Sequence, residues 1–285
     1  MVFILYILYI KMDQIEKLCV PPLKEGKRDD EISLSKWNPD DTFGKEKEEI
    51  EKELDEILPE LSELQYKLYA EREKSLLIIL QGTDASGKDG VIRNVIRVFN
   101  PAGCKVESFK VPTSEELSHD FLWRIHKVIP SKGYIGIFNR SHYEDVIEVR
   151  VNNLVSKTIW SQRYRQINDF ERHLLENNIR IVKFFLYISK KEQIDRLRDR
   201  VLDPSENWKV SADDYGRTKK WDLYMKAYED ALKLCSTEWT PWYVVPANKK
   251  WFRNWVVAKV IRKNLLKLDP NFPNKKIDKS LLDNI

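Results

Sequence analysis

An apolar run followed by a glycine-bracketed loop constrains this chain more than any other stretch. Residues 76–80 read LLIIL, and residues 82–88 have the spacing G-x-x-x-x-G-K. After a strand and before a helix, this spacing is typical of a loop whose backbone N–H groups and lysine surround a phosphate. Gly82 and Gly87 allow backbone angles and a close approach that a Cβ would block. The predicted phosphate-binding residues of the loop are Gly82, Thr83, Ala85, Ser86, Gly87, Lys88 and Asp89.

The position after Lys88 departs from the usual motif. Asp89 stands where a Ser or Thr hydroxyl normally ligates Mg²⁺ on a nucleotide's phosphates. A carboxylate must then hold the ion, and Asp84 inside the loop is the candidate. We therefore predict Mg²⁺ as the cofactor, with Mn²⁺ as the alternative ion and Asp84 as the metal ligand.

Length and composition narrow the class of protein. A chain of 285 residues has room for one large α/β domain, or for one domain with a helical insertion. The net charge of +4 argues only weakly for a polyanionic partner. The cysteines are isolated and odd in number, which fits a reducing, cytoplasmic compartment without disulfides or a zinc site. They are Cys19, Cys104 and Cys235.

The first ten residues, MVFILYILYI, are an uninterrupted apolar run. A helix that spans a bilayer needs about 20 residues, so this run is too short. It also lacks the basic region and the cleavage site of a signal peptide. A membrane anchor is the alternative, but we favour a tail, or a translation start placed upstream of Met12, and expect no membrane partner.

Strand and helix patterns alternate after the polar arm of residues 11–44. A helix is predicted over 45–72, kinked or split at Pro59, with an apolar stripe that packs on the domain or forms an oligomer seam. Strands are predicted at 75–81, 105–110, 134–138, 180–188 and 242–245. Further helices are predicted at 90–99, 114–128, 160–177, 191–202, 217–235 and 249–267. The alternation implies an α/β fold with a parallel five-stranded sheet, helices on both faces, and ligands at the carboxyl ends of the strands.

Polar residues follow the third predicted strand. Asn139 stands where phosphate-loop enzymes usually have an Asp that orients Mg²⁺, so it is a weaker ligand. Arg140 can neutralise a transferring phosphoryl group. Glu144 and Asp145 add two carboxylates, although an exposed helix start would also place carboxylates there.

Two helices joined by a polar, proline-containing loop cover about residues 191–220 and are rich in Arg and Lys. Beside a phosphate-binding loop, this arrangement predicts a mobile lid that excludes water and brings cations to a phosphate. A solvated helical hairpin is the alternative. Arg196 and Arg200, four residues apart, share a face away from the apolar stripe of the first helix.

Together these segments resemble the polyphosphate kinase 2 family over about residues 45–268. The matching segments are GTDASGKDG, FKVPTSEELSHDFLWR, GIFNRSHYEDV, WKVSADD and WDLYMKAYEDAL…PWYVVPANKKWFR. The FNRSHYEDV and AYEDA variants are most similar to the class III branch, which is associated with phosphorylating AMP and ADP. The resemblance implies a P-loop kinase fold similar to thymidylate kinases, with a helical lid, and assembly as a homodimer or homotetramer.

The resemblance also implies roles for individual residues. Its catalytic positions are Asp84, Lys88, Arg140 and Arg200. It places further phosphate contacts in the lid, at Lys209 and Arg217. Nucleotide contacts are implied at Asn139, Glu144, Asp145 and Asp214, although many family members have Asp where this chain has Asn139.

The predicted activity is reversible, Mg²⁺-dependent transfer between inorganic polyphosphate and AMP or ADP, giving ADP or ATP directly and without a phosphoenzyme. The predicted domains are an N-terminal arm (1–44), the kinase domain (45–270) and a C-terminal tail (271–285). Two alternatives are an ATP-dependent nucleotide or nucleoside kinase of the same fold, and a non-catalytic nucleotide-binding regulator or membrane-tethered adaptor. Nucleic acid is not an expected partner, because the aromatic residues recur at helical spacing and no basic run is present.

Overall fold

The computed structural model describes residues 14–23, 31–210 and 212–274, with the side chains of residues 212–215 excepted. The apolar run at 1–10, the alternative start at Met12 and the tail from residue 275 onward lie outside the described residues. Among the described helices, none combines the length and the apolar character needed to cross a membrane.

Five parallel strands form one sheet in the order β2-β3-β1-β4-β5. They are β1 (Ser75–Gln81), β2 (Cys104–Ser108), β3 (Ile135–Asn139), β4 (Ile179–Tyr187) and β5 (Trp242–Pro246). The predicted α/β fold and the existence of all five strands are confirmed. The strand boundaries differ from the prediction by at most two residues.

Helices from Lys47 onward cover both faces of this sheet. They are α1 (Lys47–Glu71), α2 (Lys88–Asn94), α3 (Ser114–Leu117), α4 (Trp123–His126), α5 (Glu144–Val151), α6 (Lys157–Glu176), α7 (Lys190–Leu202), α8 (Ala212–Lys219), α9 (Trp221–Cys235) and α10 (Lys250–Leu268). Short 3-10 turns lie at Leu34–Lys36, Ile96–Val98, Pro101–Gly103 and Asn207–Lys209.

Strand β1 lies at the centre and is buried on both faces. Leu76, Ile78 and Leu80 pack into a core formed with α1, α2 and α10. The intervening Leu77 and Ile79 pack into a second core formed with α5, α6 and α9. Alternate side chains of a strand point to opposite faces, so a strand covered on both sides must be apolar throughout.

Several helix predictions differ from the structure. The helix predicted over 90–99 ends at Asn94 and is followed by the 3-10 turn Ile96–Val98, and α5 was not predicted. Helix α1 continues unbroken through Pro59, and its apolar stripe is buried in the core beside α10. The predicted helix over 114–128 is two short helices, since a Thr113–Glu116 capping box starts α3 and the Asp120 carboxylate accepts from the Leu122 N–H in the turn before α4. The predicted helix over 217–235 is divided at Lys220, which separates α8 from α9.

The strand order positions the site. The chain leaves β1 toward β2 through α2 on one face, and leaves β3 toward β4 through α5 and α6 on the other. Neighbouring parallel strands whose connections depart to opposite faces leave a crevice at their carboxyl ends, where ligands bind in such sheets. Leu80 pairs with Asn139 in the register, so the loops after β1 and β3 begin side by side.

Candidate active site

The loop after β1 has the conformation of a phosphate cradle. Gly82 and Gly87 have φ values of 152° and 101°, in a region that L side chains rarely adopt. A Cβ on Gly82 would lie 2.6 Å from the Ser86 hydroxyl and 2.8 Å from the Leu186 carbonyl. Both glycines are therefore required by the backbone path and by close neighbours, as the sequence predicted.

Lys88 is held inside this loop. Its ammonium group donates to the Gly82 carbonyl at 2.8 Å and to the Thr83 carbonyl at 3.1 Å, and the residue is 8% exposed. Burial, together with the nearby charge of Arg140, lowers the pKa of Lys88 to about 8. The loop thus carries a buried cation whose charge is easily lost in alkaline solution.

Asp84 joins the loops after β1 and β3 to helix α8. One carboxylate oxygen accepts from Arg140 at 2.7 Å, and the other accepts from Arg217 of α8 at 3.1 Å. Burial would raise the pKa of Asp84, but three neighbouring cations outweigh it and hold this pKa below its usual value. Those cations are Arg140, Lys88 and Arg217.

Each arginine also bonds a glutamate of α5. Arg140 donates to Glu144 at 3.1 Å, and Arg217 donates to Glu148 at 3.2 Å. The Glu144 carboxylate raises the pKa of Arg140, so this guanidinium is a permanent cation. Arg140 has φ 64°, a left-handed conformation that turns its side chain toward Asp84 and not along the strand.

Glu148 is a site residue that the sequence analysis missed. Its carboxylate accepts from the Tyr224 hydroxyl at 2.8 Å and from the Asn152 amide at 2.9 Å, in addition to Arg217. Glu148 follows Glu144 by four residues, so both carboxylates lie on one face of α5. This four-residue spacing is the sequence signal that could have identified Glu148 as a site residue.

A pocket opens over these groups. Its polar wall is formed by the loop, Arg140, Glu144, Glu148, Gln193 and Arg217, and its other wall is largely apolar and aromatic. The apolar wall consists of Ile147, Trp221, Tyr224 and Tyr228. A pocket lined by both charged and aromatic side chains suits a ligand with phosphates at one end and a planar ring at the other.

The oxygen donors at Asp84 suit a magnesium ion. Asp84 is an anionic oxygen donor at the edge of the phosphate cradle, and Mg²⁺ prefers such ligands. Among the described residues, no group of three or more His, Cys, Asp and Glu side chains could hold a metal ion. A single carboxylate such as that of Asp84 fits an ion whose other ligands are phosphate oxygens and water, as Mg²⁺ is commonly held.

Asn139 and Asp145 do not enter the pocket as predicted. The Asn139 amide donates to Asp89 at 2.7 Å, which ties the end of β3 to the start of α2. Asp145 points away from the pocket lining and is paired with Arg124 at 3.5 Å and Arg163 at 3.2 Å. Consecutive helix residues project in different directions, so Glu144 faces the pocket while its neighbour Asp145 does not.

Two predicted lid cations lie apart from Asp84. Lys209 pairs with Glu206 at 2.8 Å, and Arg93 of α2 approaches the same carboxylate at 3.6 Å. A hydrogen bond from Lys209, and then the charges of Lys209, Arg93 and Arg200, lower the pKa of Glu206. Arg200, Lys209 and Arg93 thus form a basic cluster near the far end of α2. Asp214 lies in α8, and its side chain is outside the described part of the chain.

Arg196, predicted to share a face of its helix with Arg200, contacts the phosphate loop. Its side chain is 9% exposed and donates to the loop carbonyls of Ala85 and Ser86 at 2.9 and 3.3 Å. Gln193, on the same helix, donates to the Asp84 carbonyl at 3.1 Å. The sequence shows no signal that separates these buried polar residues of α7 from exposed ones.

The parallel sheet, the glycine-bracketed loop after β1 and the cationic helices beside it define a P-loop kinase fold. The family model described as "Polyphosphate kinase 2 (PPK2)" matches residues 44–273. The chain therefore belongs to the polyphosphate kinase 2 family, as the resemblance predicted.

Similar proteins agree with this assignment. The chain is 47% identical over 247 residues to AMP/ADP-polyphosphate phosphotransferase of Meiothermus ruber, covering 86% of this chain and 92% of that protein. It is 43% identical over 257 residues to ADP-polyphosphate phosphotransferase of Rhodopseudomonas palustris, covering 86% and 89%. The crystal structure of polyphosphate kinase 2 from Arthrobacter aurescens TC1 superposes with a TM-score of 0.86 at 40% identity, covering 93% of this chain and 99% of that one.

Proposed function

We propose that this protein transfers a phosphoryl group between inorganic polyphosphate and AMP or ADP, forming ADP or ATP, in a Mg²⁺-dependent and reversible reaction. The observation that carries the proposal is the Asp84 carboxylate bridging Arg140 and Arg217 above the phosphate cradle. The similarity to relatives named AMP/ADP- and ADP-polyphosphate phosphotransferases supports the choice of substrates.

The cations of the site supply what phosphoryl transfer requires. The transferring group carries charge on its outer oxygens, so positioned positive groups stabilise it more than any covalent step would. Arg140 and Arg217 can exchange their bonds to Asp84 for bonds to phosphate, and Lys88 can turn from the loop carbonyls to the same group. Transfer is then direct, and no side chain becomes phosphorylated.

The basic cluster of Arg93, Arg200 and Lys209 supports a polymeric donor. A polyphosphate chain carries about one negative charge per phosphate, so it needs cations beyond the reacting end. This cluster lies past the loop along α2, on the side of the lid. We propose that it holds the remote phosphates of the donor, which gives Arg200 and Lys209 a binding role away from the reacting atoms.

The aromatic wall supports a nucleotide as the acceptor. Trp221, Tyr224 and Tyr228 line the same pocket as Arg140 and Arg217, so aromatic side chains lie beside the cations that would receive the phosphates of a nucleotide. Glu144 and Glu148 hold these two arginines in place from α5. The nucleotide roles predicted for Glu144 are thus proposed to act largely through Arg140.

Asp84 would hold the magnesium ion together with phosphate oxygens of the substrates. Such an ion offsets negative charge at the reacting end and orients the phosphates. The Asp84 carboxylate itself keeps Arg140 and Arg217 converged on the cradle before substrate binds. We also propose a cytoplasmic location, in keeping with three free cysteines, and the homodimer or homotetramer that the family resemblance implies.

The identity of the phosphoryl donor distinguishes this function from that of an ATP-dependent kinase of the same fold. AMP and ADP should each be offered with polyphosphate or with ATP, with Mg²⁺ present, and the product nucleotides separated by chromatography. The proposal expects ADP from AMP and ATP from ADP with polyphosphate, and no product without Mg²⁺. Product formed with ATP but not with polyphosphate would refute the polyphosphate assignment, and protein-bound label from labelled polyphosphate would refute direct transfer.

A further inference from the structure

Arg196 of α7 holds the phosphate loop by hydrogen bonds to its backbone carbonyl groups. One of its nitrogens donates to the Ala85 and Ser86 carbonyls, and another donates to the carbonyls of Ala247 and Asn248, at 2.7 and 2.8 Å. A single guanidinium therefore joins the loop after β1 to the loop after β5. Glu192 holds the third nitrogen at 2.7 Å and offsets the charge.

These bonds orient the loop's peptide groups. The C=O and N–H of a trans peptide point in opposite directions, so a carbonyl held by Arg196 turns its partner N–H away from Arg196. The Ser86 carbonyl is held in this way, which directs the Gly87 N–H toward the inside of the cradle. A planar guanidinium with several donors can hold these carbonyls together, whereas an ammonium cannot reach them all.

Arg253 of α10 packs against the same loop beside Gly87 and Gly90. The residue is 2% exposed, and its guanidinium occupies the space where Gly87 and Gly90 lack a Cβ. A Cβ on Gly87 would overlap this group, and one on Gly90 would lie 2.7 Å from its terminal nitrogen. Gly90 in the first turn of a helix weakens helix formation, so the contact with Arg253 explains its presence.

The charge of Arg253 is not offset by a carboxylate. Its hydrogen bonds go to the amide oxygen of Asn254, at 2.8 and 3.2 Å, and within the described residues no carboxylate lies at ion-pair distance. Burial, with repulsion from Arg196, lowers its pKa to about 10, so it remains a cation at neutral pH. A buried cation without a counter-ion is costly in the free protein and attracts any anion placed beyond the loop.

We propose that Arg196 and Arg253 are positioning residues for phosphate binding, neither of which touches substrate. Arg196 fixes the direction of the Gly87 N–H, and Arg253 supplies an uncompensated positive charge behind the loop. The loop itself contains Asp84 and Asp89, whose negative charges oppose a phosphate, so a cation behind it restores attraction. This inference rests on the proposed function only in that the loop binds phosphate.

The test measures binding of inorganic tripolyphosphate by calorimetry, without nucleotide and without turnover. Failure of the kinase activity and failure of this inference are then distinguishable. Arg253→Met removes the charge and keeps much of the side-chain length, and Arg253→Lys keeps the charge. Arg262→Met is the matched control, because Arg262 lies on the same helix and pairs with Glu60 at the surface, 33% exposed.

We expect Arg253→Met to bind tripolyphosphate about tenfold more weakly, while Arg253→Lys stays within about threefold of the parent protein and Arg262→Met is unchanged. The melting temperature of free Arg253→Met should be equal to or above that of the parent, because an uncompensated buried charge has been removed. A side chain that only filled space would give the opposite: lower melting temperature and unchanged affinity. Either unchanged affinity in Arg253→Met or equal losses in Met and Lys variants would overturn the charge role. Arg253→Gln is a second neutral variant, should the Met protein fail to fold.

Arg196→Lys tests the orienting role separately, with Arg198→Lys as its control on the same helix, at a side chain that is 75% exposed. The charge is kept in both variants. We expect about tenfold weaker tripolyphosphate binding in Arg196→Lys alone, since an ammonium cannot hold four carbonyls. Equal affinity of the two variants would overturn this part of the proposal.

Discussion

Replacing Asp84 by Asn tests the centre of the proposed mechanism, because it exchanges one carboxylate oxygen for an NH2 group with almost no change of shape. The carboxylate is 10% exposed and accepts from both Arg140 and Arg217. Asparagine can accept at one oxygen only, and its amide would face a guanidinium. The variant therefore removes the proposed metal ligand and also leaves the neighbouring cations without their shared counter-ion.

The size of the effect follows from these contacts. Each charge-assisted hydrogen bond contributes about 1.5–3 kcal/mol, so loss of one bond and weakening of the other cost about 2–4 kcal/mol of unfolding free energy. Loss of preorganised stabilisation in the transition state lowers kcat by about 10²–10³-fold. Affinity for the anionic donor should not fall, because Arg140, Arg217 and Lys88 no longer compete for a protein carboxylate.

The assay measures kcat and KM for polyphosphate with ADP over a Mg²⁺ series, together with calorimetric binding of tripolyphosphate. Asp195→Asn is the control, because Asp195 lies on α7, is paired with Lys191, and is 39% exposed. We expect a large fall in kcat at every Mg²⁺ concentration, with tripolyphosphate affinity unchanged or higher. Full Mg²⁺-dependent turnover in Asp84→Asn would refute both the metal role and the preorganising role.

Four further predictions concern the charged groups of this site and of the core. Burial lowers the pKa of Lys88 to about 8, so the free enzyme loses this cation as pH rises, and kcat/KM for polyphosphate should fall above about pH 8. The Lys88→Arg variant should lack that decline. A flat pH profile in the parent protein would contradict the reasoning. Glu148→Gln removes the partner that holds Arg217, so it should lower kcat about tenfold while changing unfolding free energy by only about 1 kcal/mol; equal kcat would show that Arg217 needs no such support. Lys183→Met leaves the fully buried Glu171 unpaired and should cost about 3–5 kcal/mol by urea unfolding. Burial alone would raise the pKa of Glu171, but Lys183 and a hydrogen bond from His142 lower it to about 2. The stability that this pair contributes is therefore complete above pH 4.5 and is lost as pH falls toward 2. Acid unfolding that is unaffected by Glu171→Gln would contradict this.

Local sequence features were sufficient for the sheet. Strands such as 76–80 are apolar at every position because helices cover both faces, and this makes them visible without any knowledge of their neighbours. The helix ends were less predictable. The division at Lys220, and the unbroken course of α1 through Pro59, depend on tertiary packing that outweighs local propensity.

The candidate site was predicted unevenly for a related reason. Glu144 and Asp145 are adjacent carboxylates of equal promise in the sequence, yet α5 directs one to Arg140 and the other to buried arginines. Helical periodicity shows which residues share a face, but not which face meets the pocket. The loop contacts of Arg196 were not predictable for the same reason, since a buried arginine and an exposed one have the same sequence spacing.

The chain by itself determined the phosphate loop, because its function resides in a short backbone path that Gly82 and Gly87 permit and Lys88 completes. Only the tertiary structure decided what surrounds that loop. Asp84 and Arg140 are far apart in the chain and meet because parallel β1 and β3 end in register. Arg253 comes still later in the sequence and reaches the loop because α10 packs beneath it. Electrostatic partners are set by distance in space, which sequence spacing reports only within a single helix or strand.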